Sequence, residues 1–371
     1  MTGSTAWASP NRAHVPAVDH LRAYLAVLIV VYHAWHILWF RLSFGRPFAP
    51  DPWPIVANPL FAALLEGHTA VAGFMVLSGF IFVYGTGADH VRYGGFLRNR
   101  LLRIYPMYLT ALAFGIALNP GGESFLGILR YVLPLANSGP AQFGTPAAMA
   151  WAVAVELQFY LVFPFLFALL HRHGAGLLLR MALLAVLLRL LLVLGGHDVT
   201  ALSYWTLPGR IEQFLFGMVA AHWLNAHPQA IRALRWQVAP ALAAIIAGLA
   251  LFHQAGGWPV VAWWRALVPT VEGALWAWFI MAYVAIGTAV PAWLSEALQR
   301  VGRLSFSLYL LHLLVIEAWA PRLPAVSGDP FLDALFAAVI LVLPACLLLA
   351  ALAYSTIEAP FLGLRRRYLD G

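Results

Sequence analysis

Long apolar runs recur along the whole chain and limit its fold more than any other feature. About ten of them approach or exceed the roughly 20 apolar residues that a helix needs to cross a bilayer. Backbone polar groups in hydrocarbon must be paired within the chain, so these runs predict helices. The chain is therefore expected to be an all-α, polytopic transmembrane helical bundle. The predicted spans are residues 19–40, 60–84, 102–119, 148–171, 176–194, 209–225, 236–253, 267–288, 304–320 and 331–355.

The charge composition agrees with a membrane protein. Charged residues make up 10% of the chain and hydrophobic residues 62%, whereas a soluble domain has about a quarter charged residues. The formal net charge is +7, and all 22 basic residues are arginine. No basic helix or aromatic ribbon typical of nucleic-acid modules occurs, so no nucleic-acid partner is expected.

Loop arginines predict the orientation in the membrane. With a cytoplasmic N-terminus, 14 arginines, Arg12 among them, fall in cytoplasmic loops and five in outer loops. Both termini are therefore expected to be cytoplasmic. The predicted organisation is a cytoplasmic tail (1–17), a membrane domain (18–362) and a basic cytoplasmic tail (363–371). The outer loop 120–147 is expected to form an external cap with a short interfacial helix.

Cysteine and histidine content argues against a metal site. Cys346 is the only cysteine, so the chain has neither an internal disulfide nor a cysteine-based metal site. His33 and His36 have helical spacing, but no second matching element accompanies them, and no metal is expected. The first apolar run is too long for a signal-peptide core and is expected to remain as a transmembrane helix.

Two polar residues interrupt this first span, "VDHLRAYLAVLIVVYHAWHILWF". Arg22 and His33 are eleven residues apart, which places them within about 20° of one helix face and about 16 Å apart along the axis. Ionisable groups inside a span are costly unless they have a partner, a cavity or a function. Two interpretations are open: Arg22 snorkels beside Asp19 while His33 bonds a neighbouring helix, or both residues serve a site.

A cluster of arginines begins the third span, "FLRNRLLRIYPMYL". Arg98, Arg100 and Arg103 either anchor the helix on the cytoplasmic side or bind phosphates, since guanidinium groups grip phosphate oxygens in pairs. Pro106 is expected to break the helix locally.

Several carboxylates also fall inside predicted spans and are expected to point into the bundle. For each of them, as for His312, structural pairing is an alternative to catalysis, with Arg189 and Arg210 as candidate partners. The carboxylates are Glu156, Glu212, Glu272 and Glu317.

Seven segments in order resemble the integral-membrane acyltransferase-3 family. The resemblance covers residues 18–362, nearly the whole chain. The segments are "HLRAYLAVLIVVYH", "FMVLSGFIFVYG", "FLRNRLLRIYPMYL", "WAVAVELQFYLVFP", "GRIEQFLFG", "GRLSFSLYLLH" and "IEAPF".

This resemblance implies an O-acyltransferase, most often an O-acetyltransferase, that uses cytoplasmic acetyl-CoA or another acyl-CoA as donor substrate without a bound cofactor. The family's Arg-x10-His motif falls on Arg22 and His33, its Arg-x-x-Arg motif on Arg100 and Arg103, and its glutamate on Glu156. The implied acceptor is a hydroxyl of an extracytoplasmic saccharide, glycolipid or other hydroxylated molecule. The implied localisation is the bacterial cytoplasmic (inner) membrane. The implied role is polysaccharide modification in the cell envelope.

The chain departs mildly from the family pattern. Ala152 stands where Ser or Thr is common, and Phe306 where Tyr is common. Some relatives carry an additional soluble SGNH domain, and none is expected in this chain.

The resulting hypothesis makes His33 the general base, with Glu156 or another buried carboxylate orienting it. The predicted substrate-binding residues are Arg22, Arg98, Arg100, Arg103 and Arg210, with arginines holding the CoA phosphates. A covalent acyl-histidine is the mechanistic variant. The alternative from another class is a transporter or flippase in which buried Arg, Glu and His form a proton relay.

Overall fold

The computed structural model describes residues 11, 13–86, 90–118, 124–138, 146–286, 289–323 and 325–370. Helices dominate these residues, which include two short strands, β1 (His90–Val91) and β2 (Leu369–Asp370). The all-α fold class is therefore confirmed. The helices are α1 (Pro16–Phe44), α2 (Pro59–Leu65), α3 (Thr69–Val83), α4 (Tyr93–Leu118), α5 (Phe125–Val132), α6 (Ala150–His173), α7 (Ala175–Leu194), α8 (Val199–Tyr204), α9 (Ile211–Ala226), α10 (Ile231–Leu234), α11 (Val238–Gln254), α12 (Val268–Ile286), α13 (Ala292–Arg303), α14 (Ser305–Trp319), α15 (Pro330–Phe336), α16 (Leu343–Ala353) and α17 (Ala359–Leu362).

Membrane-length helices make up most of the described chain. Seven helical segments there are long and apolar enough to cross a membrane, or nine if each of two bent pairs counts as one span. The pairs are α2 with α3, bent by 73°, and α13 with α14, bent by 66°. The predicted span 209–225 corresponds to α9, which has only 16 residues. A multi-pass membrane protein is confirmed, whereas the count of ten spans stays a prediction.

Helix α1 lies at the centre of the bundle. It starts with Pro16, whose missing N–H is harmless in a first helical turn, and it ends at Gly45 in a left-handed conformation (φ 65°). It packs against α3, α13, α14 and α15, and 72% of its most apolar stretch is buried. Arg22 and His33 of α1 are thus surrounded by other helices.

The predicted span 60–84 is interrupted near its N-terminal end. Asn58 caps α2, because its side-chain oxygen accepts the N–H of Leu60 (2.9 Å). The chain then turns between Glu66 and His68 before α3 begins. Both residues are buried, with exposed fractions of 0% and 4%, so the break brings two ionisable side chains into the protein.

Helices α3 and α9 contact each other backbone to backbone. A Cβ atom added at Gly79 would overlap the Phe214 carbonyl, and one added at Gly217 would overlap the Val76 carbonyl. Only glycine permits this approach, which resembles the small-residue packing common between membrane helices.

A similar contact joins α13 to the start of α1. A Cβ atom added at Gly302 would overlap the backbone carbonyl of Asp19. The next residue, Arg303, ends α13. The contact therefore holds the end of α13 beside the first turn of α1.

The C-terminal residues fold back onto the start of α4. Strand β2 pairs antiparallel with β1, and the Asn99 side chain bonds both the carbonyl (2.6 Å) and the N–H (3.0 Å) of Arg366. Tyr368 donates its N–H to the Asn11 side chain (2.6 Å). Asn11 and Tyr368 thus lie at the same end of the bundle. The segment predicted as a basic tail (363–371) is docked over residues 363–370, and its cytoplasmic side remains a prediction.

Two further expectations have different outcomes. Helix α4 continues through Pro106, so the predicted break there is wrong. In the outer loop 120–147, α5 confirms the short helix, whereas residues 120–123 and 139–145 lie outside the described residues. So does Arg12, which contributed to the predicted orientation.

Candidate active site

Five arginines surround a cavity at the end of the bundle that holds both chain ends. This cavity, which we call the mouth cavity, has a volume of about 130 Å³. Among the described residues lining it, Asp19 is the one carboxylate. Such a surplus of guanidinium groups favours a polyanionic ligand. The arginines come from α1, α4, α13 and the docked tail: Arg22, Arg100, Arg103, Arg303 and Arg365.

Two of these guanidinium groups are held by carboxylates. Arg22 donates to Asp19 (2.9 Å), which also contacts the His14 ring (2.8 Å). Arg103 pairs with Glu358 (3.3 Å), a carboxylate that is only 1% exposed. These pairs fix the direction of both arginine side chains while Arg22 and Arg103 remain partly exposed to the cavity.

Arg100 is held differently. Its guanidinium lies over the rings of Phe82 (5.0 Å), Phe96 (5.5 Å) and Tyr160 (5.9 Å). No described residue gives its side chain a hydrogen bond or an ion pair, and its Nε is buried and unpartnered. Aromatic faces stabilise a cation without satisfying its N–H donors. Those donors stay available for phosphate oxygens.

Arg365 follows α17, outside the spanning helices, and points into the same cavity. Burial first, and then the nearby charges of Arg103 and Arg100, lower the pKa of its guanidinium from 12.5 to about 10. A group with this pKa is still protonated at neutral pH. The site therefore holds several positively charged guanidinium groups close together, although they repel one another.

A second cavity leads from these arginines into the bundle. This inner cavity, with a volume of about 120 Å³, shares Arg22, Arg100 and Arg103 with the mouth cavity. It continues as far as Glu156 of α6 and Tyr309 of α14. The predicted arginines of α1 and α4 and the predicted glutamate of α6 therefore line one space.

Glu156 is fixed on the wall of the inner cavity. Its Oε1 accepts hydrogen bonds from the hydroxyls of Ser78 (3.0 Å) and Tyr160. Tyr160 in turn presents its ring to Arg100. The structure thus connects Glu156 to the arginines and does not support the expectation that it orients His33.

His33 is instead bonded to a second histidine. Its Nδ1 lies 3.0 Å from Nε2 of His312 on α14, and the two rings are stacked with centroids 5.0 Å apart. The Tyr309 ring, which lines the inner cavity, lies 6.2 Å from the His312 ring. The histidine pair therefore lies about one helical turn beyond the described end of the inner cavity.

Hydrogen bonding defines the tautomers of this pair in its neutral form. His312 Nδ1 lies 3.0 Å from the Leu308 carbonyl, which can only accept, so this nitrogen carries the proton. His312 Nε2 must then accept, and His33 Nδ1 must donate to it. The lone pair of neutral His33 is left on Nε2. His33 is partly exposed, although most of α1 is buried, and in this tautomer Nε2 is the nitrogen that can accept a proton.

More ionisable groups continue from His33 towards the opposite end of the bundle. Tyr32 packs against the rings of His33 (4.8 Å) and His68 (6.0 Å). His68 contacts one carboxylate oxygen of Glu66 (3.1 Å), and His253 contacts the other (2.7 Å). These buried side chains give that part of the bundle a polar interior.

Beside them lies an aromatic cluster centred on Tyr204. The Tyr204 ring contacts Trp151 (4.9 Å) and Trp258 (4.2 Å) and lies under the Arg210 guanidinium (4.0 Å). The Arg265 guanidinium lies over Trp258 (4.6 Å). The aromatic faces of this cluster thus stabilise the two guanidinium groups by cation–π contacts.

Two arginines predicted to bind substrate are not brought to either cavity. Arg210 is 1% exposed and donates to the Tyr204 carbonyl (2.9 Å) and to the Gln213 side chain (3.2 Å). It therefore belongs to the aromatic cluster. Arg98 is exposed on another face of α4, in a shallow groove with Leu101 and Phe361. Substrate binding by these two residues stays a prediction.

The other carboxylates within spans differ in their surroundings. Glu212 pairs with Arg189 (2.6 Å), which confirms that arginine as a buried partner. Glu272 is also buried, with an exposed fraction of 8%. Glu317 is exposed at the end of α14, so the expectation that it points into the bundle is wrong.

Several site residues were not assigned a role from the sequence. His312 was recognised only as an ionisable group, although it lies in "GRLSFSLYLLH", one of the family segments. Glu358 lies in another, "IEAPF". Arg303 and Arg365 are among the 14 loop arginines that served only to predict the orientation. Nothing in local sequence shows that α13 and the tail converge with α4.

Comparisons with known proteins identify sequences that are similar to this chain. The chain is 27% identical over 176 residues to "Acyltransferase MdmB" of Streptomyces mycarofaciens, covering 44% of this chain and 42% of the relative. It is 28% identical over 188 residues to "Nodulation protein 10" of Rhizobium leguminosarum bv. viciae, covering 44% of this chain and 47% of the relative. The chain thus spans less than half the length of these curated relatives. No solved structure matches it. The sequence model described as "Acyltransferase domain" matches residues 15–351, and the chain therefore belongs to the acyltransferase-3 family.

Proposed function

We propose that the protein is a membrane O-acyltransferase that moves an acyl group from acyl-CoA to a hydroxyl of an acceptor. The observation that carries this proposal is the connection of the five-arginine mouth cavity, through the inner cavity, to the neighbourhood of His33 and His312. One end of this path suits phosphates and the other holds a proton acceptor. Membership of the acyltransferase-3 family supports the same reaction class.

The donor's charge and length fit this path. CoA carries several negative charges on its pyrophosphate and 3′-phosphate, and guanidinium forks are the preferred partners of such groups. An extended acyl-pantetheine arm measures about 15–20 Å by covalent geometry. The rise along α1 from Arg22 to His33 is about 16 Å. With its phosphates in the mouth cavity, the donor would bring its thioester close to the histidine pair.

In the proposed reaction, neutral His33 accepts the proton of the acceptor hydroxyl on Nε2. The hydroxyl oxygen attacks the thioester carbonyl carbon, the new C–O ester bond forms, and the C–S bond breaks. The imidazolium of His33 then returns its proton to the departing CoA thiolate. His312 holds the reactive tautomer of His33 throughout, and direct transfer needs no acyl-enzyme.

Glu156 has a supporting role in this proposal. It accepts hydrogen bonds from Ser78 and Tyr160 and so fixes the wall along which the pantetheine arm passes. The position of the Tyr160 ring against Arg100 couples this wall to the phosphate end of the site.

We propose that the acceptor approaches from the opposite end of the bundle, through the region of the aromatic cluster. The aromatic and polar side chains of this region are the groups that a saccharide, a glycolipid or another hydroxylated molecule would contact with its apolar and hydroxyl groups. Acetyl is the acyl group that the family resemblance favours. The bacterial inner membrane, with the arginines on the cytoplasmic side, is the location that places acyl-CoA at the mouth cavity.

A transfer assay tests the proposal. Purified protein in lipid nanodiscs would be incubated with acetyl-CoA and a cell-envelope glycan extract, and released CoA would be measured by chromatography. We expect glycan-dependent release that His33→Ala reduces at least about 100-fold, the lower range for loss of a general base. Binding of CoA should change little, because His33 lines neither of the two cavities.

His197→Ala is the matched control, since this histidine is exposed in the turn between α7 and α8. Full transfer by a folded His33→Ala protein would refute the catalytic assignment. A transporter or flippase would release no CoA with any acceptor. Labelled acetyl-CoA without acceptor separates direct transfer, which leaves no label on the protein, from an acyl-histidine.

A further inference from the structure

The five arginines of the mouth cavity fall into two sets. Arg22, Arg100 and Arg103 line both cavities, whereas Arg303 and Arg365 line only the mouth cavity. The first set thus marks the entrance to the inner cavity. The second set lines only the cavity that does not extend to Tyr309, so we infer that it lies farther from the histidine pair.

The fold builds the second set from distant parts of the chain. Arg303 ends α13, whose contact through Gly302 holds it against the start of α1. Arg365 is positioned by the docked tail, because the two bonds between Asn99 and Arg366 and the β1–β2 pairing fix the residues that follow it. Arg365 also donates its Nε–H to the Leu362 carbonyl (2.9 Å), which directs the guanidinium.

The covalent structure of CoA determines which of its phosphates lies near which set of arginines. In CoA the pantetheine arm is attached to the pyrophosphate, and the ribose with its 3′-phosphate lies on the other side. An arm that enters the inner cavity leaves the pyrophosphate at the arginines shared by both cavities. The 3′-phosphate must then face the arginines found only in the mouth cavity.

We propose that Arg365 of the docked tail, together with Arg303, forms the subsite for the 3′-phosphate of CoA. This inference rests on the proposed function, since it takes CoA as the ligand. The phosphate monoester is close to a dianion at neutral pH, and two guanidinium groups can bind it with charge-assisted hydrogen bonds. The C-terminal segment is then part of the donor site and not only a topological signal.

Electrostatics support this role. The pKa of Arg365 is lowered by burial and by the neighbouring charges of Arg103 and Arg100. A bound dianion would offset that repulsion.

The test compares CoA with 3′-dephospho-CoA, which lacks only this phosphate. Their affinities for the nanodisc-embedded protein would be measured by calorimetry for wild type, Arg365→Gln and Arg365→Lys. We expect Arg365→Gln to weaken CoA binding about 10- to 100-fold, as for loss of a charged hydrogen bond, and dephospho-CoA binding less than about 2-fold. Arg365→Lys should recover most of the lost affinity, because the charge remains.

Arg367→Gln is the matched control, because Arg367 belongs to the same tail but its side chain is exposed. It should leave both affinities unchanged. Equal loss of both ligands in Arg365→Gln, or no loss of either, would overturn the subsite. Wild-type protein that binds neither ligand would overturn the proposed function itself, so the two failures are distinguishable.

Discussion

His33 Nδ1 lies 3.0 Å from His312 Nε2, and this contact determines which nitrogen of His33 can act as a base. His312 is 0% exposed, and its other nitrogen is directed to the Leu308 carbonyl. Its acceptor nitrogen is therefore available only to His33. In this arrangement His312 is a positioning residue that acts through His33.

Loss of His312 should reduce the rate of acyl transfer and leave donor binding intact. We expect His312→Leu to lower kcat about 100-fold because His33 can then adopt the other tautomer, while KM for acetyl-CoA changes less than about 2-fold. His312→Gln offers a side-chain oxygen to His33 Nδ1 and should retain more activity than His312→Leu. Steady-state kinetics and thermal unfolding of both variants provide the measurement. Equal kcat values for the two variants would contradict the positioning role.

Arg100 and Arg98 provide a second comparison on one helix. Arg100→Gln removes the aromatic-supported guanidinium from both cavities and should weaken CoA binding about 10-fold or more. Arg98→Gln removes an equal charge from another face of α4, and a change in CoA binding below about 2-fold would show that Arg98 does not bind the donor. Calorimetric titration with CoA at one fixed salt concentration checks both. An equal loss in the two variants would mean that the overall positive charge, and not the cavity, binds the donor.

The pKa of Arg365 predicts a pH dependence for donor binding. Since that pKa is lowered to about 10, the guanidinium stays charged between pH 7 and about 9 and loses its proton as the pH rises through about 10. We expect CoA affinity to be flat over the first range and to fall above it. The affinity of 3′-dephospho-CoA should fall less, and the Arg365→Gln protein should lose this difference. A parallel fall of both ligands in wild-type protein would show that Arg365 does not meet the 3′-phosphate.

The sequence could predict those parts of the site whose residues are close together along the chain. Arg22 and His33 lie on one helix, so periodicity alone placed them on one face. By the same rule, Arg98 and Arg100 are separated by about 200° around α4 and point to different sides of the helix. Their closeness in sequence alone had suggested a single cluster. The partner of His33 comes from 279 residues further along the chain. Such a contact depends on how the helices pack, which the residues next to His33 in the sequence do not show.

Fold predictions show the same division. Apolar runs predicted α1, α6 and α7 because a membrane-spanning helix is defined by its own composition. The break between α2 and α3 was missed, since burial of Glu66 depends on His68 and His253 arriving as partners. The docked tail was missed for the same reason: its exposed arginines predict a topology, whereas its backbone bonds to Asn99 depend on the tertiary structure.

The contact between α3 and α9 yields a prediction about stability. Gly217→Ala places a Cβ atom against the Val76 backbone, which has no flexible side chain to move aside. The helices must separate, and we expect the free energy of unfolding to fall by about 1–3 kcal/mol, the usual range for overpacking. Because α3 also carries Ser78, which holds Glu156, transfer activity should fall as well. Gly176→Ala is the control, since a Cβ atom there, at the start of α7, meets open space. Thermal unfolding in matched nanodiscs measures both, and a Gly217→Ala protein as stable as Gly176→Ala would show that α3 and α9 are not packed backbone to backbone.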